Sequence, residues 1–139
     1  MMKEYRIGLV AAEFNFDVTS MMIQRAKAEA DFLGVKITEE FFVPGVYDIP
    51  LAVKKLIQRD DIDAIITIGA VIKGETDHDQ VIMAQTARKI TDLSLEYNKP
   101  VGLGISGPGE TKLQAMDRIE MGRNALDAVV KMLQRLDKI

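Results

Sequence analysis

A chain of 139 residues with 47% hydrophobic and 28% charged residues is long enough to bury a core and too apolar to be disordered. Its formal net charge of −3 is spread without a basic stripe, which argues against binding nucleic acid through the phosphates. It has no cysteine, which excludes disulfides and thiolate metal sites. No run resembles a signal peptide or a membrane span, so we expect one domain, residues 1–139, in the cytoplasm and away from membranes.

Strand and helix patterns alternate along the whole chain. β-rich or apolar runs predict strands at 5–13, 35–45, 63–72 and 100–106. Helical spacing and capping residues predict helices at 18–34, 48–60, 77–97 and 111–138.

Three residue types mark the predicted helix ends. Gly34 is typical of a C-cap after the first helix. Asp48 suits the N-cap of the second helix, with Pro50 in its first turn, where a missing N–H costs nothing. An interruption of the last helical segment is predicted near Gly122, and the GPGE run at 107–110 predicts the end of the fourth strand.

This order of elements predicts an α/β fold. Strands that alternate with helices favour a parallel sheet with helices on both faces, in three α/β/α layers. The expected architecture is a flavodoxin-like doubly wound four-stranded parallel sheet in the order 2-1-3-4. The continuous apolar run at 63–72 is typical of a central strand covered on both faces.

In such a sheet, ligands bind outside the carboxyl ends of the strands, where the strand order reverses. The loops that reach this edge are EFNFD at 13–17, VPGVYD at 43–48, KGETDHD at 73–79 and SGPGET at 106–111. Phe14 and Tyr47 lie in the first two loops. Each either caps the core or forms a flat wall against a planar ligand.

The third loop contains His78, the only histidine of the chain. A metal site is disfavoured because no second histidine can complete it. Two interpretations remain: a solvated residue at a helix start, or a general acid/base, since imidazole exchanges protons near neutral pH. Gly74 and Thr76 could offer backbone N–H groups to a phosphate, but the neighbouring acids either repel that anion or simply suit the helix dipole.

Two other functions of this fold class fail at their diagnostic positions. A flavodoxin needs a loop rich in Ser, Thr and Gly after strand 1, and a receiver domain needs an acidic pair there and an aspartate after strand 3. This chain has AAEFNFD and IGAVI instead. It also has neither GxGxxG nor GxxxxGK[ST].

Taken together, the loops resemble the lumazine synthase family. The resemblance rests on EFN at 13–15, VPGVYDIPLA at 43–52, AIITIGAVIKGETDHD at 64–79, KPVGLGI at 99–105 and LQAMDRIEMG at 113–122. It implies condensation of 5-amino-6-(D-ribitylamino)uracil with 3,4-dihydroxy-2-butanone 4-phosphate to 6,7-dimethyl-8-(D-ribityl)lumazine, the penultimate step of riboflavin biosynthesis. It implies two small-molecule substrates and neither a cofactor nor a metal.

The resemblance also implies a role for individual residues. His78 is the implied proton carrier. The residues implied to hold the pyrimidine and its ribityl chain are Phe14, Val46, Tyr47, Asp48, Ala70, Val71, Ile72 and Leu103. The residues implied to meet the butanone phosphate are Glu75, Thr76 and Arg118.

The chain departs from the family pattern at three places. Glu75 stands where a small residue is common, and Leu103 stands where an aromatic is usual. The segment after Arg118 is shorter, so the second phosphate-side lysine has no counterpart and Arg123 is a candidate replacement. Two alternative functions remain open: a riboflavin synthase of related fold that dismutates two lumazines, and a non-catalytic shell protein.

The family also implies a homo-oligomer. Its pentamers assemble in some members into shells of sixty subunits, and adjacent subunits share each active site. A mean hydropathy of +0.03 and eight methionines independently suggest surface buried against other copies of the chain.

Overall fold

A computed structural model describes residues 3–74 and 78–139. The strands are β1 (Arg6–Ala12), β2 (Lys36–Val43), β3 (Ala64–Ile72) and β4 (Val101–Glu110). The helices are α1 (Phe16–Leu33), α2 (Ile49–Ile57), α3 (His78–Tyr97), α4 (Lys112–Asp117) and α5 (Met121–Leu136), with a short 3-10 helix at Val46–Asp48. Within the described ranges, no helix is both long and apolar enough to cross a membrane.

The four strands form one parallel sheet in the order β2-β1-β3-β4, which confirms the predicted fold. In the register of the sheet, Ile7 of β1 lies beside Ala64 of β3, and Ile65 of β3 lies beside Val101 of β4. β3 is buried along all but its last residue, as expected for a central strand.

The core consists of two clusters, one on each face of the sheet. Successive residues of a strand point to opposite faces. Leu9 and Ile66 therefore pack with α1 and α5, whereas Val10 and Ile65 pack with α2 and α3. The result is the three-layer arrangement expected from the sequence.

The prediction that β4 stops before GPGE is wrong. Glu110 pairs with Ile72 after a register shift in which β4 has extra residues at 107–109, and its carbonyl accepts the N–H of Lys73 at 2.8 Å. Gly107 has φ of +99°, and a Cβ there would lie 2.2 Å from the carbonyl oxygen of Val71. The glycines therefore allow the strand to continue in close contact with β3 instead of ending it.

The helix ends agree with the sequence signals in part. Gly34 caps α1 at φ of +74°, as predicted. The last helical segment is interrupted at residues 118–120, close to Gly122 as predicted. Gly122 itself lies in the first turn of α5, and only a glycine fits there, because a Cβ would be 2.3 Å from the carbonyl oxygen of Met22. Asp48 occupies the N-cap position of α2, but its carboxylate accepts the N–H of Gly45 at 3.0 Å.

Candidate active site

The loops after β1 and β2 run side by side beyond the end of the sheet. The N–H of Glu13 donates to the carbonyl of Val43 at 2.8 Å, and the N–H of Phe14 donates to that of Pro44 at 3.1 Å. These bonds continue the pairing of the two strands into their loops. They place the backbone of Phe14 beside the VPGVYD segment.

Asn15 fixes the turn from β1 into α1. Its backbone is left-handed, with φ of +61°, a conformation that asparagine tolerates better than most residues. Its side-chain Nδ2 donates to the carbonyl of Ala70 at 3.0 Å, which ties this turn to the end of β3. Its own carbonyl accepts the N–H groups of Val18 and Thr19 at the start of α1.

The 3-10 helix is pressed against the sheet through Val46. A Cβ on Gly69 would lie 2.7 Å from Cγ2 of Val46, so a glycine in β3 makes room for this side chain. The hydroxyl of Thr86 in α3 also donates to the carbonyl of Val46 at 3.3 Å. The next residue, Tyr47, is thereby held outside the core with 67% of its surface exposed.

A cleft of about 360 Å³ opens between these loops and the start of α3. Phe14 is 72% exposed, so neither aromatic caps the core. The residues that line the cleft are Phe14, Asn15, Gly45, Val46, Tyr47, Ala70, Val71, Ile72, Gly74, His78, Asp79 and Ile82. Seven predicted site residues thus meet in one place at the switch point of the sheet.

His78 is the first residue of α3 and lies exposed at the cleft. The predicted phosphate contacts Glu75 and Thr76 lie outside the described residues. Asp79 is buried, and its Oδ2 accepts the N–H of Gly109 at 3.0 Å. This carboxylate therefore joins α3 to β4 and is not a solvated charge of the helix start.

Three predicted site residues do not line the cleft. Asp48 borders a neighbouring apolar groove beside Phe41 and Leu51. Leu103 is 42% exposed on β4, the edge strand of the sheet. Arg118 comes directly after the last residue of α4. The described part of one chain thus gathers the aromatic and histidine side of the predicted site without Leu103 and Arg118.

Arg118 contacts a buried carboxylate. Its Nη1 lies 3.0 Å from Oε1 of Glu110, whose other oxygen accepts the hydroxyl of Ser106 at 2.6 Å. Arg123, the candidate replacement for a lysine, lies 3.4 Å from Oε1 of Glu29 on α1. At the start of α4, the Lys112 ammonium lies 2.7 Å from Asp17 and holds the pKa of that carboxyl below its ordinary value.

Comparison with known proteins identifies the family of the chain. The family model described as 6,7-dimethyl-8-ribityllumazine synthase matches residues 4–137. The chain belongs to this family.

Relatives that carry the name 6,7-dimethyl-8-ribityllumazine synthase align over nearly their whole length. The protein from Picrophilus torridus is 60% identical over 131 residues, which are 94% of this chain and 96% of the relative. That from Methanothermobacter thermautotrophicus is 57% identical over 97% of both chains. That from Methanobrevibacter smithii is 55% identical over 99% of this chain and all of the relative.

The sequence did not indicate a role for four polar residues of the site region. Asn15 and Asp79 lie within the lumazine synthase motifs, and Ser106 and Glu110 lie between two of them. Asn15 had a local signal, since asparagine directly after a strand is typical of a left-handed turn. Asp79, Ser106 and Glu110 had none, because their burial depends on contacts between α3, β4 and α4. From sequence, a carboxylate that follows a glycine or a histidine is expected to be a surface charge until the pairing of β3 and β4 is known.

Proposed function

We propose that this chain condenses 5-amino-6-(D-ribitylamino)uracil with 3,4-dihydroxy-2-butanone 4-phosphate to 6,7-dimethyl-8-(D-ribityl)lumazine, the penultimate step of riboflavin biosynthesis. The observation that carries the proposal is the cleft that brings Phe14, Tyr47 and His78 together at the switch point of the sheet. Membership of the family supplies the identity of the two substrates.

The reaction requires the protein to position the two substrates and to transfer protons. The aromatic 5-amino group attacks the ketone carbon and the carbinolamine loses water to give an imine. Loss of the proton from C3 and of phosphate from C4 then gives an enol, which becomes a ketone at C3 by proton transfer. The ribitylamino nitrogen attacks this new carbonyl to close the second ring, and a second water is lost. Each step moves protons but none needs a strong nucleophile from the protein, so positioning and general acid/base catalysis suffice.

The apolar cleft is assigned to the pyrimidine. Phe14 stacks on its ring, and Tyr47 forms a second aromatic boundary. Backbone groups at the ends of β3 and of the 3-10 helix bind the edge of the ring, and these belong to Val46, Ala70, Val71 and Ile72. Asp48 reaches the ribityl chain from the rim, and its bond to the N–H of Gly45 holds its carboxylate.

His78 is assigned to proton transfer. It is exposed at the cleft, where its imidazole can reach a bound substrate. The N–H groups of Glu75 and Thr76 are assigned to the butanone phosphate, together with Arg118, because a guanidinium binds a phosphate through two charge-assisted hydrogen bonds. The acidic side chain of Glu75 makes the backbone N–H the better contact at that position.

The positions of Leu103 and Arg118 support a site made by two chains. Neither lines the cleft of its own chain. Leu103 lies on the edge strand β4, and Arg118 lies at the end of the helix that comes after this strand. In a ring, a neighbouring chain brings its Leu103 and Arg118 over the open cleft. Such a head-to-tail contact is heterologous and closes by rotation.

We propose that the chain assembles into a homo-pentamer. The alternative is a closed shell of sixty subunits, and a mass measurement by light scattering distinguishes the two. Large apolar side chains are exposed on single chains, among them Phe41 and Phe42 on the edge strand β2, Leu51 on α2, and Leu113 and Met116 on α4. Burial of such patches between subunits is the usual reason for their presence. The cytoplasmic location stays a prediction.

The decisive assay mixes purified protein with both substrates and monitors lumazine fluorescence and released phosphate. Formation of equal amounts of lumazine and phosphate supports the proposal. Production of riboflavin from added lumazine supports the related dismutase instead. If a folded oligomer makes neither product, the result supports a non-catalytic shell protein.

The shared site has its own test, in which His78→Ala and Arg118→Ala chains are dissociated, mixed and reassembled. Some interfaces in the mixed rings pair an intact His78 with an intact Arg118, so activity partly returns. Each variant reassembled alone is the control. Mixed rings that stay as inactive as both parents place the whole site in one chain.

A further inference from the structure

Glu110 is a buried acid to which the reaction assigns no role. Its side chain has no exposed surface, although it lies near the end of an edge strand. Both carboxylate oxygens have partners, Ser106 at 2.6 Å and Arg118 at 3.0 Å. A buried charge is retained only where such partners compensate it.

The surroundings of Glu110 connect it to the predicted phosphate contacts. Its backbone carbonyl holds the N–H of Lys73, which begins the loop that carries Glu75 and Thr76. The preceding residue, Gly109, donates its N–H to Asp79, the neighbour of His78 in α3. The end of β4 is thus fixed to β3 and to α3, so the carboxylate has a rigid base.

The contact leaves most of the Arg118 guanidinium available. A guanidinium has five N–H donors, and the Glu110 contact uses one terminal nitrogen. The Arg118 side chain is 46% exposed, whereas the acid is completely buried. The arginine is therefore held from its protein side, and its remaining donors can form a fork for an oxyanion.

We propose that Glu110 is a positioning residue that holds the Arg118 guanidinium in place for the phosphate of the butanone substrate. This inference rests on the function proposed above. An arginine side chain without this anchor must lose its rotational freedom when the phosphate binds, and this loss weakens binding. The opposing effect is that the Glu110 charge repels phosphate. We expect that effect to be the smaller one, because the Glu110 charge is completely buried and compensated by its two partners.

The test compares wild type, Glu110→Gln, Arg118→Ala and the double variant. Glu110→Gln keeps the length of the side chain and removes its charge, and we expect the KM for the butanone phosphate to rise about tenfold, with the KM for the pyrimidine unchanged. In the Arg118→Ala background, the same change has no further effect on the butanone KM. The thermal shift produced by inorganic phosphate shrinks in Glu110→Gln as it does in Arg118→Ala.

A matched control lies at the opposite end of the sheet. Arg6 and Asp63 form a similar pair at 3.2 Å, with the arginine side chain 45% and the acid 19% exposed. Asp63→Asn lowers the melting temperature and leaves both KM values unchanged. If Glu110→Gln does not fold, Ser106→Ala replaces it, because loss of one anchor of the carboxylate raises the butanone KM about threefold.

Several distinct outcomes overturn the inference. A lower butanone KM in Glu110→Gln shows that the acid competes with phosphate for the arginine. An equal rise in both KM values, or the same rise with and without Arg118, shows that Glu110 acts on the fold and not through the arginine. Wild-type protein that makes no lumazine refutes the proposed function itself, whereas active wild type with unaltered Glu110→Gln and Ser106→Ala kinetics refutes only the positioning role.

Discussion

Replacement of Phe14 by alanine separates binding from stability. The ring is 72% exposed in the single chain, so its loss costs the fold little. The substrate pyrimidine, by contrast, loses the wall on which it stacks. We therefore expect Phe14→Ala to keep the wild-type melting temperature and to weaken pyrimidine binding.

The size of the effect is set by the exposed area of the ring. A phenylalanine offers about 200 Å² of surface, and a planar ligand on one face of Phe14 would cover about half of the exposed part. This removes about 70 Å² from water, equivalent to about 1.8 kcal/mol at about 25 cal/mol per Å². Stacking adds about 0.5–1.5 kcal/mol. Together these are about 2.3–3.3 kcal/mol, so the dissociation constant of the pyrimidine should rise about 45- to 230-fold.

The assay is an equilibrium titration of the pyrimidine without the second substrate, monitored by fluorescence, beside thermal unfolding of the same samples. Phe16→Ala is the matched control. Phe16 begins α1 and stacks on Phe42 of β2, with ring centroids 6.1 Å apart, and it does not line the cleft. Its removal lowers stability by about 1 kcal/mol and leaves pyrimidine affinity unchanged.

Phe14 is not the stacking wall if Phe14→Ala binds the pyrimidine as tightly as wild type does. The ring is part of the core if the variant loses as much stability as Phe16→Ala. Equal loss of pyrimidine affinity in both variants would mean that the loop conformation matters and not the stacking face.

Three further predictions concern proton transfer, a buried hydroxyl and a close helix contact. His78→Ala lowers kcat about 100-fold with unchanged pyrimidine binding; loss of that binding in an equilibrium titration contradicts the role. Tyr5 donates its hydroxyl to Asp137 at 2.5 Å, and this bond together with burial raises the pKa of Tyr5 to about 12 from 10.0. The stability that this hydrogen bond contributes is complete below the ordinary pKa of tyrosine and is lost as the pH approaches the raised pKa. Tyr5→Phe therefore lowers the free energy of urea unfolding by about 1 kcal/mol near neutral pH and by less at high pH. A loss that is constant across this pH range would contradict the role of the bond. Gly122→Ala places a methyl group 2.3 Å from the Met22 carbonyl and lowers the free energy of unfolding by about 2–3 kcal/mol in thermal or urea denaturation, whereas unchanged stability would show that α1 and α5 are not this close.

Local sequence signals were sufficient to predict the strands and helices and their order along the chain. The apolar run of β3 and the glycine after α1 each have one physical interpretation, and both were confirmed. The position of the loops at the switch point is a consequence of the parallel topology, so the meeting of Phe14, Tyr47 and His78 was predictable.

Other features depend on long-range contacts and could not be predicted from local sequence. The glycines at 107 and 109 are local signals for a break, yet the pairing of Glu110 with Ile72 extends the strand through them. The same pairing buries Glu110, and the contact of Gly109 with Asp79 depends on it. The interruption near Gly122 was predictable, but the close approach of α5 to α1 at this glycine was not.

The packing of α5 on α1 has a consequence for biosynthesis. The face of β1 and β3 that includes Leu9 and Ile66 is covered by the first and the last described helices. At about 5–20 residues per second, the ribosome needs about 5–20 seconds to make the roughly 100 residues between them. The opposite face is covered by α2 and α3 and can close earlier. A nascent chain therefore leaves part of one apolar sheet face uncovered until α5 is complete, and we expect it to be most prone to aggregation during this interval.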